Sequence, residues 1–284
     1  METYTTVIQA KSTGLNLHLK ELWRYRDLIL LFVRRSFITR YKQTVLGPAW
    51  AIIQPLLTTV VFTVVFGNIA GLGAQGVPSF VFYFSGTMTW TYFSTCLTKT
   101  ANTFIGNRGI LGKVYFPRLV MPVSGLLTNL ITYAIQFFFF LCFLLFYVFT
   151  GENVHPNFYM LMLPLLILQM AMLGLGVGVI ISALTTKYRD LSMLTGFGVS
   201  LWMYMTPIAY DMDAMKSFAL GGKYHALYML NPVTSIVNVF RYGFIGIGQI
   251  EWLYYGIGWV VTFVLLFIGV LMFNRVERTF MDTI

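Results

Sequence analysis

Six stretches of this chain are apolar over long runs, and short polar or basic segments separate them. They cover residues 50–70, 79–101, 120–149, 159–184, 190–210 and 252–274. Each is long enough to cross the hydrocarbon of a bilayer as a helix, which takes about 20 residues. Ahead of the first run the pattern differs. Between Leu19 and Leu46, Ile29, Val33, Phe37 and Tyr41 recur every fourth residue and share one helical face. Arg24, Arg26, Arg34, Arg35, Arg40 and Lys42 surround that face. The longest uninterrupted apolar run there, Leu28 to Val33, is too short to span. Residues 19–46 therefore read as a basic amphipathic helix lying in the membrane interface. The two patterns meet at Leu46-Gly47-Pro48, where the chain bends from surface segment into first span. Trp50 stands at the join, where an amphipathic ring favours the headgroup layer.

The connection between the fifth and sixth runs is long and still apolar, HALYMLNPVTSIVNVFRYGFIGIG, but Asn231-Pro232 breaks it and Arg241 charges it. It reads as short helices over 225–250 that dip back into the outer leaflet. A seventh span there would carry the carboxyl end across the membrane and spoil the distribution of charge.

That distribution sets the orientation. Of 19 Lys and Arg residues, eight precede the first span, and Lys99, Arg108, Lys113 and Arg118 lie between the second and third. Lys187 and Arg189 join the fourth to the fifth, and Arg275 and Arg278 follow the sixth. Only Lys216, Lys223 and Arg241 fall on the opposite side, so the positive-inside rule puts both termini in the cytoplasm. The net charge of +9 thus marks topology and anionic lipid headgroups rather than nucleic acid. With 57% hydrophobic and 10% charged residues, against about 25% charged in soluble domains, the chain is an all-α polytopic membrane protein, one domain over 1–284. No cleavable signal peptide is expected, because the first forty residues lack an apolar core followed by a small-residue cleavage site. Cys96 and Cys142 lie inside apolar runs and read as packing residues.

Several chemistries lack their residues. No Asp or Glu lies in the middle of a span, and His18, His155 and His225 lie outside the spans, which speaks against proton coupling. The phosphate-loop pattern G-x-x-x-x-G-K-S/T does not occur, so this chain has no such route to ATP. A membrane glycan transferase needs an acid or base near the surface, and only Asp211 and Asp213 offer a close pair on the outer side. Thr87, Thr91, Thr95 and Thr98 fall near one face of the second span, suited to bonding between helices. Phe62, Phe66, Trp90, Trp202 and Tyr204, in the outer halves of their spans, are candidates to stack on sugar rings along a channel. The loop from Lys99 to Pro122 holds four cations and no acid, and suits docking of another protein. Gly174, Gly176 and Gly178 permit close helix approach.

Four segments together resemble the membrane subunit of polysaccharide exporters of the type-2 ABC transporter superfamily. They are RYKQTVLGPAWAIIQP at 40–55, KVYFPRLVMPVSGLLTNLI at 113–131, KYRDLSMLTGFGVSLWMYMTPIAY at 187–210 and LNPVTSIVNVFRYGFIG at 230–246. They keep the family's order and cover nearly the whole chain. The resemblance implies six spans, an interfacial gate helix before the first and paired re-entrant helices before the last. It implies a homodimer in the bacterial inner membrane, served by two copies of a separate ATPase that holds ATP and magnesium, while this chain binds no cofactor and catalyses nothing. Its cargo would be a polyprenyl-pyrophosphate-linked glycan: O-antigen first, then capsule or teichoic acid, with a drug or lipid exporter as the nearer rival to a transferase or a scaffold.

Carried over by position, Leu46, Gly47 and Pro48 match the bend at the lateral opening, where Arg34, Arg35 and Arg40 are the residues chosen to pair with the phosphates. Asn107, Arg108, Lys113, Tyr115, Phe116, Pro117 and Arg118 match the coupling segment, 107–118, that seats on the ATPase. Asn231, Pro232 and Arg241 match the external gate. The segment TPIAY at 206–210 departs from the family in opening with Thr where Ser is commoner, which keeps the hydroxyl.

Overall fold

A computed structural model of the chain describes residues 19–42, 44–74, 76–107, 109, 116–188, 190–212 and 221–279. Among these residues the structure is helical, without strands. Two short segments lead, α1 (Leu19–Arg24) and α2 (Arg26–Tyr41). A 3-10 turn at Gly47–Ala49 opens α3 (Trp50–Phe62), which continues as a wider π turn over Thr63–Ile69. Then come α4 (Ser79–Ala101), the single turn α5 (Thr103–Gly106) and α6 (Val120–Phe149). A 3-10 stretch, Phe158–Met162, runs into α7 (Leu163–Lys187), followed by α8 (Leu191–Tyr204). The chain ends with α9 (Gly221–Met229), α10 (Pro232–Phe244) and α11 (Trp252–Thr279).

The stretches Gly47–Ile69, Val120–Phe149, Phe158–Thr186 and Trp252–Phe273 are long and apolar enough to cross a membrane, which makes this a multi-pass membrane protein. Helix α4 is as long, yet hydroxyls dilute its apolar character. Its position explains the difference: Val81 to Trp90 is buried without a break, so protein rather than lipid surrounds it. There the threonine hydroxyls are satisfied along the helix itself. Thr87 and Thr89 donate to the carbonyls of Tyr83 and Ser85 at 2.8 and 2.7 Å. Thr87 also reaches across, to Thr59 at 3.0 Å, and the Ser85 hydroxyl accepts from Arg241 at 3.3 Å.

The glycine run of α7 packs inside the chain in two directions. A methyl at Gly178 would fall 2.6 Å from the Thr100 side chain of α4, and one at Gly176 would fall 2.8 Å from the Leu266 backbone of α11. Alternate residues therefore seat two neighbours against one helix. Helix α10 is enclosed as well: all but two of its thirteen residues, Asn238 and Tyr242, are buried.

Helix α8 contrasts with both. It has no buried residue, and it stops at Tyr204, six residues short of the apolar run that suggested a span to 210. Pro207 accounts for part of that early end, since it donates no backbone hydrogen bond and disfavours helical geometry in the residue before it. At the other end of the fold, α2 packs Ile29, Phe32 and Val33 against Phe116, Val120, Met121 and Phe273. Its far side leaves Leu30, Leu31, Arg34 and Ile38 exposed.

Candidate functional site

Four elements that meet at the basic end of the bundle line an open cavity of about 640 Å³. Phe32, Arg35, Ser36, Thr39 and Arg40 come from α2, and Thr98, Lys99, Asn102 and Thr103 from the end of α4 and the turn after it. Gly106 ends α5, Asn107 follows it, and Met121, Pro122, Ser124 and Gly125 lie in the first turns of α6. The site exists because α2 lies across the start of α6 through its apolar face. That leaves its polar flank over the last turn of α4. Three cations line the cavity, and no carboxylate is among the described lining residues. Arg40 is steadied by donating from Nη1 to the Thr132 hydroxyl at 3.4 Å. Such a space suits an anion with several oxygens, for which a guanidinium fork is the better partner and an ammonium the more compact one.

The three arginines expected to act together are separated. Arg35 and Arg40 line the cavity, whereas Arg34 lies on the exposed apolar stripe of α2. One residue along a helix is a turn of about 100°, enough to move a side chain to another face. Lys99, Asn102 and Thr103 were missed as site residues. The signal was present in the period: Thr91, Thr95, Thr98 and Asn102 continue one face of α4 down to the cavity.

The bend at the mouth of this region is a left-handed turn. Gly47 has φ +51°, a conformation costly to residues with a Cβ, and Pro48 starts the 3-10 turn that leads into α3. Leu46 is exposed beside it. Of the segment expected to meet an ATPase, Asn107 lines the cavity, and Phe116 packs on Phe32 of α2 with ring centroids 5.9 Å apart. Pro117 and Arg118 follow, both half-buried. Arg108, Lys113 and Tyr115 lie outside the described residues.

About 20 Å away along α4, the other two motif segments, 187–210 and 230–246, close with α4 into one hydrogen-bonded knot. Arg241, 3% exposed, donates to the carbonyls of Pro207 (2.6 Å), Ile208 (3.1 Å) and Phe82 (3.4 Å) and to the Ser85 hydroxyl (3.3 Å). Its guanidinium lies 3.7 Å from the centroid of the Phe82 ring, a cation–π contact. Asn231 caps α10, its Oδ1 accepting from the Val233 amide at 3.1 Å and from Trp202 Nε1 at 3.0 Å. Its amide nitrogen donates to Thr206 Oγ1 at 3.0 Å, and Pro232 takes the first turn of the helix. The Thr that opens TPIAY is thus a partner of Asn231.

The aromatics occupy different settings. Trp90 is 5% exposed and packs edge-on to Phe93 at 5.4 Å, and Trp202 sits 5.1 Å from the same ring while its nitrogen holds Asn231. Phe62 is buried against Tyr83 and half-buried Phe66. Tyr204 is 63% exposed. A second, small cavity of about 100 Å³ near the knot is lined by Asp211, His225, Asn238, Arg241 and Glu251, with His225 Nε2 at 3.5 Å from Glu251 Oε1. Asp213 lies outside the described residues.

A family model for ABC-2 type transporters matches residues 27–245. An O-antigen export system permease protein, RfbA, of Klebsiella pneumoniae is 26% identical over 258 residues, covering 90% of this chain and 94% of that protein. The protein of the same name from Myxococcus xanthus is 26% identical over 223 residues, covering 78% and 82%. The inner membrane transport permease YadH of Escherichia coli K12 is 24% identical over 235 residues, covering 76% and 83%.

Proposed function

Because the chain belongs to the ABC-2 type transporter family, we propose that it is the membrane subunit of an ATP-driven exporter of lipid-linked polysaccharide. O-antigen is the cargo in first place, carried from the cytoplasmic to the outer side of the bacterial inner membrane. The names of the Klebsiella and Myxococcus relatives support that cargo over capsule or teichoic acid. The observation that carries the reading is the three-cation cavity between α2, the end of α4 and the start of α6, with no carboxylate among its described lining residues.

The mechanism follows from charge and packing. A polyprenyl-pyrophosphate presents an anionic head at the cytoplasmic face. Moving it unaided into hydrocarbon is prohibitive, since one isolated ion costs on the order of tens of kcal/mol by the Born argument. Arg35, Arg40 and Lys99 take the diphosphate, and α2 acts as the gate helix beside the lateral opening at Leu46-Gly47-Pro48. Two copies of the chain work with two ATPase subunits, which hold ATP and magnesium and press on 107–118. Phe116 packs on Phe32, so that push reaches α2 directly. The spans then rock, and the lipid slides in the bilayer while sugars thread between the subunits past exposed rings such as Tyr204. In this reading α4 and α8 complete six spans, α9 and α10 are the re-entrant pair, both termini are cytoplasmic, and the knot around Arg241 holds the outer closure.

Glycan export in cells carrying full-length variants tests the assignment. Arg35→Gln with Arg40→Gln should lower export at least tenfold at unchanged protein level in the membrane, because charge-assisted bonds to phosphate contribute about 1.5–3 kcal/mol each. Arg34→Gln, off the cavity, should stay within about twofold of wild type, since an isolated surface charge contributes about 0–1 kcal/mol. Equal export by wild type and the double variant would defeat the headgroup role.

A further inference from the structure

The cavity holds more than cations, and its remaining polar groups have an order. The Asn102 amide nitrogen donates to the Thr98 carbonyl at 3.0 Å, and that of Asn107 to the Thr103 carbonyl at 2.9 Å. These carbonyls decide which way each carboxamide is turned, since only the nitrogen can donate to them. The Oδ1 atoms are left as acceptors, beside the second N–H of each carboxamide. The hydroxyls behave alike: Thr98 donates to Ser94 O at 2.8 Å and Thr103 to Lys99 O at 3.2 Å. A hydroxyl has a single proton, so both Oγ1 atoms are acceptors as well. The cavity therefore holds three cationic donors, Arg35, Arg40 and Lys99, together with acceptor oxygens on Thr98, Asn102, Thr103 and Asn107.

An ionised phosphate accepts and never donates, so it is served by the cations and leaves the acceptor oxygens unmatched. A sugar ring carries hydroxyl donors that match those acceptors. The volume of about 640 Å³ lies within the ~300–1,000 Å³ typical of sites for drug-sized ligands, more than a diphosphate alone fills. We propose that Asn102, Asn107, Thr98 and Thr103 form a subsite for the first sugar of a sugar-diphosphate ligand, so that the entry cavity reads the linkage itself. It distinguishes a lipid diphosphate that carries glycan from one that does not. This rests on the reading of the cavity as the diphosphate site.

The test uses the purified full chain in phosphatidylcholine nanodiscs and two probes, farnesyl diphosphate and the same lipid bearing one glucose on its terminal phosphate. Wild type should bind the glucosylated probe about tenfold tighter, the scale of one or two neutral hydrogen bonds. Asn102→Ala with Asn107→Ala should abolish that preference while leaving affinity for the bare probe within about twofold, as phosphate has no proton for those oxygens and is held by the cations. Thr98→Val, isosteric and on a half-exposed helix face, should reduce the preference in the same direction by less. Equal binding of the two probes by wild type, or a preference that survives in both variants, overturns the subsite. So does displacement of the glucosylated probe by phosphatidylglycerol at equal mole fraction, which would make the cavity a general anionic-lipid site. Loss of bare-probe binding in Arg35→Gln with Arg40→Gln reports separately on the diphosphate reading, and its retention there would sink both.

Discussion

At the scale of single residues the sharpest dependence is on Arg241. It is a buried cation whose guanidinium bridges α10, α4 and the turn after α8, and three of its four hydrogen bonds end on backbone carbonyls. Removing the fork strands those acceptors away from water, at about 1–3 kcal/mol for each group left unpaired. Arg241→Met should therefore lower stability by on the order of 3 kcal/mol, taking two stranded carbonyls as the minimum. Arg241→Lys should fall between, since an ammonium keeps the charge over Phe82 but not the planar fork. Thermal unfolding in detergent measures both, and a Lys variant as stable as wild type would show that charge alone suffices. Gly86 belongs to the same account. A methyl there would come within 2.7 Å of Arg241 Nη2 and 3.2 Å of the Ile208 side chain, so the small residue keeps room for the guanidinium.

At the scale of elements the entry to α3 is set by one dihedral. Gly47 adopts φ +51° with open space where a side chain would go, so the cost of replacing it is conformational rather than steric. Alanine there should cost about 1–2 kcal/mol, the penalty for a left-handed residue with a Cβ. Asparagine, which visits that region more readily, should cost less. If the bend positions α2 over the cavity, export should fall in the order Gly47, Asn, Ala, and equal export by all three would detach the bend from transport. Helix α2 itself has three separate flanks: one packed on α6 and α11, one over the cavity, and one of exposed apolar residues with Arg34. The amphipathic period identifies the packed flank. Dividing the rest needs the neighbours.

At the scale of the whole molecule, a transport cycle demands energy that this chain has no phosphate loop to collect. ATP turnover in proteoliposomes should require the ATPase partner and should rise when lipid-linked glycan is added. The chain alone should move no cargo, and cargo movement without the partner would overturn the division of labour. The membrane class, the helical fold and the packed face of α2 were legible along the chain because burial in lipid or against protein leaves a mark on the run of neighbouring residues. Family membership was legible from four ordered segments. What these segments do to one another was not: TPIAY, LNP and Arg241 converge through bonds to backbone carbonyls, which carry no side-chain signature. The early end of α8 also escaped the hydropathy pattern, because 205–210 is apolar whether it is helix or turn. The cavity was hidden for a related reason. Its walls come from residues around 35, 102 and 122, and only packing decides that Arg35 and Lys99 share a space while Arg34 faces away. Sequence by itself determined which segments avoid water; the tertiary structure decided which polar groups meet, because that depends on contacts between residues far apart in the chain.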